Sequence, residues 1–305
     1  MRQYIIKRIF ISLLTLFILI TICFFLLRTL PGNPFQTETV LDAQTVERLT
    51  RYYGLDRPLI EQYLSFMGNL LRGDLGYSFR FPGRTVNSII QRNFPVSASL
   101  GLRALAISYP VGIFLGCLAA KKRGKALDFA CVFAAIIGIS IPSFVLAAML
   151  QWVFGVRLGI LPVAGWRTFS HTIMPVFAVA LAGIAGTTRS MRANVLEVIS
   201  QDYSTTAKAK GLSEPAILLK HQLRNAIAPV ITGLGVQIAS VFLGSMVIEQ
   251  IFVIPGLGLY YTQAIRALDY TMVMGITIFY GAILITMNFF IDLLYVLIDP
   301  RITIQ

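Results

Sequence analysis

Side chains able to do covalent or metal chemistry are sparse in this chain. Its two histidines, His171 and His221, are far apart in sequence. Its three cysteines, Cys23, Cys117 and Cys131, sit in or beside apolar runs with no CxxC pair. They read as small buried hydrophobes, and a histidine-rich metal centre is excluded. No G-x-x-x-x-G-K-S/T loop is present, so the chain has no phosphate cradle and no ATPase site of its own. No cluster of catalytic residue types groups as a membrane enzyme would require. Two acids fall near apolar stretches: Glu249 just past the fifth and Asp292 near the end of the sixth. Ionisable groups at such depth face a helix bundle and need a partner. A structural hydrogen bond or ion pair fits them, and so does a contact with a substrate ammonium or a coupling ion.

The segment best suited to work is mechanical. Ser204-Thr205-Thr206-Ala207-Lys208-Ala209-Lys210-Gly211-Leu212-Ser213-Glu214-Pro215 precedes a second stretch, residues 216–225. Its alanines and lysines favour helix, and Gly211 can take the left-handed conformation that ends one. Ser213 then suits an N-cap, and Pro215 falls in the first turn of the next helix, where its missing N–H costs little. The expected unit is helix, glycine corner, helix. Such a unit serves either as a rigid knob docking into a groove of a soluble partner or as an amphipathic helix pair lying on lipid.

The elements that position this segment are apolar. The chain has 305 residues, 56% hydrophobic and only 13% charged, about half the charge usual in soluble domains. Uncharged runs cover 9–27, 104–120, 129–156, 172–188, 226–248 and 271–291. Crossing a hydrocarbon layer takes roughly 17–25 helical residues, so all six qualify and an all-α polytopic membrane protein with six transmembrane helices is expected. The first run follows Arg2, Lys7 and Arg8 but ends in Arg28-Thr29-Leu30-Pro31 without a small-x-small cleavage site, and reads as an uncleaved span. The stretch 251–265 is short and broken by Pro255, Gly256 and Gly258, so it reads as re-entrant or interfacial. Pro110, Pro142 and Pro229 interrupt spans two, three and five, as packing kinks or as hinges.

Charge sets the expected orientation. Lys121, Lys122, Arg123 and Lys125 lie between spans two and three; Arg189, Arg192, Lys208, Lys210, Lys220 and Arg224 lie between spans four and five. Both regions, and with them both termini, are expected on the cytoplasmic side. The formal net charge of +12 is thus matched to anionic lipid head groups, and nucleic acid is excluded as a partner because no aromatic-interleaved basic pattern appears. Between spans one and two, Leu41, Val46, Leu49 and Tyr53 predict a short amphipathic helix over 42–53. Tyr63, Phe66, Met67 and Leu70 predict a second. Gly73-Asp74-Leu75-Gly76 forces a turn, and 86–90 begins an interfacial helix leading into span two. The region is either a packed external cap or a receiver of substrate from a partner.

Along these landmarks the chain resembles the permease subunits of bacterial peptide importers of the ATP-binding-cassette class, in the dipeptide, oligopeptide and nickel group. The family's cytoplasmic motif, EAA then three residues then Gly, is matched by Thr205-Thr206-Ala207 before Gly211, with the glutamate and first alanine replaced. Its later Leu-Pro is also absent, with Leu223-Arg224-Asn225-Ala226 in its place; both departures resemble the peptide branch. Leu30-Pro31-Gly32-Asn33-Pro34, Tyr53-Gly54-Leu55-Asp56-Arg57-Pro58, Gly73-Asp74-Leu75-Gly76-Tyr77-Ser78, Pro255-Gly256-Leu257-Gly258 and Asp299-Pro300 also look like family landmarks, in order. The run LFILITICFFLLRTLPGNPF and the stretch FPVSASLG resemble the B-subunit branch of the oligopeptide importers more than the dipeptide, glutathione or nickel branches.

The resemblance implies a fold like that of type I importer permeases. It implies a single transmembrane permease domain over 1–305: a first span at 9–27, an external loop with short helices at 28–95, and a five-span core at 96–305 carrying a cytoplasmic coupling region at 193–225. It implies a subunit of an ATP-driven oligopeptide importer in the bacterial inner membrane. The partners would be a second homologous permease, two cytosolic ATP-binding subunits that use the ATP, an external substrate-binding protein and the peptide itself. No cofactor is bound directly. Thr205, Thr206, Ala207, Lys208, Gly211, Leu212 and Ser213 would form the element that couples to the ATPase. The alternatives are a dipeptide, glutathione or nickel importer of the same family, or an ion-coupled secondary transporter. The latter calls for mid-membrane acids and inverted repeats, and neither is visible.

Overall fold

The computed structural model describes residues 2–31, 35 and 43–298. Gly32-Asn33-Pro34 and the terminal Asp299-Pro300 pair lie outside the described residues. Those described are helical throughout, apart from turns and one isolated antiparallel bridge between Tyr77 and Thr85. Four helices are long and apolar enough to cross a membrane, Ile5–Thr29, Val86–Lys121, Phe169–Ile199 and Tyr270–Ile291, or five when a bent pair is counted as one span. The remaining expected run, 226–248, lies in a helix of 29 residues, Leu223–Ile251.

The chain divides into two compact units. The first takes Met1–Ser97 and Pro255–Phe289. It contains α1 (Arg2–Thr29), α2 (Ala43–Tyr52), α3 (Leu59–Leu71), the start of α4 (Val86–Lys121), α11 (Leu257–Arg266) and most of α12 (Tyr270–Ile298). The two helices expected after span one are therefore α2 and α3. The aromatic face of α3 does the packing: Tyr63, Phe66, Met67 and Leu70 cover a buried cluster of Ile20, Phe24, Met274 and Ile278. Phe24 meets the Tyr63 ring edge-on at 5.2 Å, a favoured aromatic geometry. At 36 residues, α4 is about 54 Å long, longer than a hydrocarbon layer requires, and it starts at Val86, where the sequence leads to the expectation of a helix. With 10 residues, α11 spans only about 15 Å and is too short to cross.

Asp269 closes this unit. It sits at the N-cap of α12, where Oδ1 accepts the Met272 N–H at 3.0 Å, and Oδ2 accepts the Ser78 hydroxyl at 2.5 Å and the Arg80 N–H at 3.0 Å. One carboxylate thereby caps a helix and ties down the 78–81 turn, satisfying donors that the helix end leaves open. Burial pushes its carboxyl above the ordinary carboxylate range, while the Ser78 hydroxyl and the neighbouring backbone N–H groups pull it back.

The second unit takes Ala98–Ile254 and, of the described residues, the end of α12 from Phe290 onward. Besides the rest of α4 it holds α5 (Ala126–Ser140), α6 (Ser143–Leu150), a π-helical turn (Gln151–Arg157), α7 (Phe169–Ile199), α8 (Asp202–Ala209), α9 (Glu214–Ile217), a second π turn (Leu218–Gln222) and α10 (Leu223–Ile251). Its third apolar run is not one straight span. It breaks at Ile141-Pro142 and bends by 95°. Ile141 is extended, with φ −83° and ψ 117°, because proline disfavours helical backbone in the residue before it. Pro110, Pro229 and Pro175, in contrast, stay inside continuous helices.

Small residues set how closely α4 meets α7. A Cβ added at Gly112 would lie 2.6 Å from Thr187 Cβ, and one at Gly116 would lie 2.7 Å from both Met191 Cβ and the Thr188 carbonyl oxygen. The Gly112-x-x-x-Gly116 spacing puts both glycines on one helix face and lets the backbones touch, a packing mode suited to lipid, where no hydrophobic gain draws helices together. Below this contact, Ala120, Met191, Val195, Val198, Ala226 and Val230 form a buried cluster.

Candidate coupling segment

At the end of α7 the chain turns back on itself. The Ser200 and Gln201 N–H groups bond to the carbonyls of Glu197 and Val198 at 3.3 and 3.2 Å, and α8 begins at Asp202. One face of α8 is anchored. Ser204 and Ala207 are buried; the Ser204 hydroxyl donates to the Val198 carbonyl at 2.8 Å and accepts from Gln222 Nε2 at 3.4 Å. Gln222 is itself buried, so a polar link ties the end of α7, α8 and the start of α10 together.

The corner then forms as its sequence dictates. Gly211 has φ +79°. Its N–H bonds to the Lys208 carbonyl at 3.0 Å and the Leu212 N–H to the Ala207 carbonyl at 3.4 Å. This pair of bonds, with glycine in the left-handed region, is the Schellman termination. The chain re-enters helix at α9, where the Ile217 N–H bonds to the Ser213 carbonyl at 3.0 Å.

The seven residues expected to couple do not act alike. Thr205, Thr206, Lys208, Gly211, Leu212 and Ser213 are exposed, whereas Ala207 is buried. Ala207 therefore belongs to the face that holds the corner in place, and the other six to the face it presents. Tyr203 and Leu212, each 38% exposed, add apolar surface to the outer side.

Behind the corner lies an ion pair that charge counting along the chain does not reveal. Arg189 and Arg192, expected between spans four and five, are within α7. Arg192 Nε donates to Asp128 Oδ1 at 2.6 Å and Nη2 to Oδ2 at 2.8 Å. Asp128 is in the first turn of α5 and also accepts the Gly124 N–H at 3.0 Å. The fork fixes α5 to α7 just above the segment, and a carboxylate in a first helical turn also suits the helix dipole. Glu249 is fully buried and accepts the Ser245 hydroxyl at 2.9 Å, one turn back on α10. Among the described residues, no group of three or more His, Cys, Asp or Glu side chains could hold a metal ion.

Comparison with known proteins gives this arrangement its setting. Residues 112–304 match the family "Binding-protein-dependent transport system inner membrane component", and residues 1–101 match that family's N-terminal region. The dipeptide transport system permease protein DppB of Bacillus subtilis (strain 168) is 43% identical, over 100% of this chain and 99% of its own. The oligopeptide transport system permease protein OppB of Haemophilus influenzae is 41% identical over 99% of each chain. OppB of Escherichia coli (strain K12) is 38% identical over 99% of each. The crystal structure of an amino acid ABC transporter with histidines aligns with a TM-score of 0.52 and 16% identity, covering 71% of this chain and 95% of that one; it shares the fold. The match over both parts of the sequence shows that this chain belongs to the inner-membrane components of binding-protein-dependent transport systems.

Proposed function

We propose that this chain forms half of the translocation pathway of an ATP-driven peptide importer in a bacterial inner membrane. It crosses six times, the bent α5–α6 pair and α10 each counting as one span. Both termini and the 202–222 segment face the cytoplasm, where Lys121, Lys122, Arg123 and Lys125 also lie. A second homologous permease completes the pathway, two cytosolic subunits hydrolyse ATP, and an external binding protein delivers the peptide.

The exposed glycine corner carries the coupling part of this reading. Thr205, Thr206, Lys208, Gly211, Leu212 and Ser213 are presented outward, while Ser204, Ala207 and Gln222 fasten the inner face. Closure of the ATPase pair would push on this corner. The Asp128–Arg192 fork and the glycine contacts between α4 and α7 would pass the push on as a rigid displacement, biasing a bundle with two accessible states. A corner that simply bent would transmit nothing.

Oligopeptides are the expected substrates, with dipeptides as the second reading; the identities to dipeptide and oligopeptide permeases, 43% and 41%, favour neither. Peptides share a backbone and two termini and differ in side chains, so the membrane pathway should be wide and weakly selective. The test is ATP-dependent uptake by the reconstituted complex of di-, tri- and pentapeptides against nickel and glutathione. Preference for the longer peptides supports the oligopeptide reading, and uptake of dipeptides alone supports the second. Uptake driven by an ion gradient without ATP contradicts both.

A further inference from the structure

The first unit contains a cavity of about 350 Å³, remote in sequence from the coupling segment and lined at its charged positions by Arg28, Arg57 and Asp74. Tyr53, Phe66 and Phe79 supply aromatic walls. Arg28 is half-buried at the end of α1 and closely held. Its Nε donates to Gln62 Oε1 at 3.0 Å, and its guanidinium carbon stands 4.7 Å from the Phe24 ring centre and 5.5 Å from that of Tyr270. Gln62 is oriented in turn, its amide nitrogen donating to the carbonyls of Leu55 at 3.2 Å and Arg57 at 2.8 Å.

Among the described residues no carboxylate forms an ion pair with Arg28. A guanidinium has five N–H donors, and among the described residues only its Nε has a hydrogen-bond partner. A partly desolvated cation whose remaining donors border a cavity is a site for an incoming negative charge. Arg57 lines the same cavity and is exposed. Asp74 adds the opposite sign: Oδ1 accepts the Gly76 N–H at 2.8 Å, which leaves its second oxygen for a cation. Two guanidinium groups and one carboxylate around an aromatic-walled space match a zwitterion with an apolar body. The volume is at the small end of ligand pockets, roughly 300–1,000 Å³.

We propose that this cavity binds a free short peptide by its ends. The C-terminal carboxylate lies on Arg28 and Arg57, the N-terminal ammonium near Asp74, and one side chain against the aromatic walls. Recognition of this kind reads the termini and tolerates varied side chains. It rests on the reading of this protein as a peptide permease and adds to it a defined peptide-binding site in the first unit.

The test uses the whole complex in nanodiscs without its external binding protein, with trialanine as probe beside its C-terminal amide and its N-acetyl form. Saturation-transfer NMR titration reads the affinity. Trialanine should bind, each blocked form should bind about tenfold more weakly, and Arg57→Gln should produce the same loss for trialanine while removing the preference over the amide. Arg57 is exposed, so this variant should fold; Arg28→Gln serves as a second probe, with a melting curve to check it. Equal binding of free and blocked peptides overturns the proposal, as does binding unchanged in both arginine variants, which places the peptide elsewhere. Absence of trialanine binding to the wild-type complex also overturns it. Uptake by the complex with the binding protein present separates the two levels. Peptide import with no peptide on this cavity sinks this inference alone, whereas failure to import any peptide removes the function on which it rests.

Discussion

Arg192 holds Asp128 with two arms of its guanidinium, at 2.6 and 2.8 Å, and so clamps the first turn of α5 to the lower part of α7. The carboxylate side chain is 5% exposed and the guanidinium 29%, so the pair is shielded on the acid side and still reaches solvent on the basic side. Asp128→Ala removes a bidentate charged contact and should lower the melting temperature of the purified protein, at a cost of about 2 kcal/mol. Arg192→Ala should do the same, and the double variant should cost less than the two added together. Additive losses would show that the two residues act separately.

The α4–α7 contact should tolerate no side chain. At Gly116 an added Cβ meets the Thr188 carbonyl oxygen at 2.7 Å, and backbone cannot rotate away as a side-chain tip can. Gly116→Leu should therefore separate the helices, costing about 1–3 kcal/mol or more, and reduce the yield of folded protein in the membrane fraction. Gly186→Ala, on α7 with nothing within 4 Å of the added atom, is the matched control and should behave as wild type. Equal yields for the two would remove the close contact from the account.

Asp269 gives the first unit a pH dependence. Its carboxyl is raised by burial, so its protonated form is favoured on folding. That contribution is fully present below the ordinary carboxylate range, near pH 4, and is lost as pH rises through the higher folded-state value. Asp269→Asn, which keeps an acceptor for the α12 cap, should flatten this part of the stability–pH curve measured by thermal melting. A variant curve parallel to wild type would mean that the dependence comes from other groups.

Much of this was readable from sequence, for reasons that differ from residue to residue. The face Tyr63, Phe66, Met67, Leu70 follows helical spacing, and it packs as that spacing requires. Gly211 is legible because few residues other than glycine enter the left-handed region at a helix end. The 95° bend at Pro142 is only half legible: proline marks the break, but neighbours decide between a kink and a corner. Asp128 with Arg192, and Ser78 with Asp269, join residues 64 and 191 positions apart, and no local pattern encodes such pairs. Gly112-x-x-x-Gly116 carries a signal for close helix packing that the expectations from sequence did not include. Ala207, grouped by motif with the outward residues, faces inward because α8 must bury one face to stay in place.

The outward face of the corner should be separable from its stability. Leu212→Asp alters an exposed residue that follows Gly211, so the melting temperature should stay near wild type. Retention of the ATP-binding subunits on the purified permease should fall by the amount typical of an interface anchor, more than about 1 kcal/mol. Unchanged retention would place the docking surface elsewhere.

The most direct test of the central claim is to measure ATP hydrolysis and peptide uptake together in proteoliposomes, for wild type and Gly211→Pro. Proline fixes φ near −65°, whereas this corner requires +79°. The expected result is an assembled complex whose uptake per ATP falls roughly tenfold or more, within the usual range of coupling energies. An assembled Gly211→Pro complex that imports peptide with wild-type efficiency per ATP would contradict the account, because the corner would then not be what joins hydrolysis to transport.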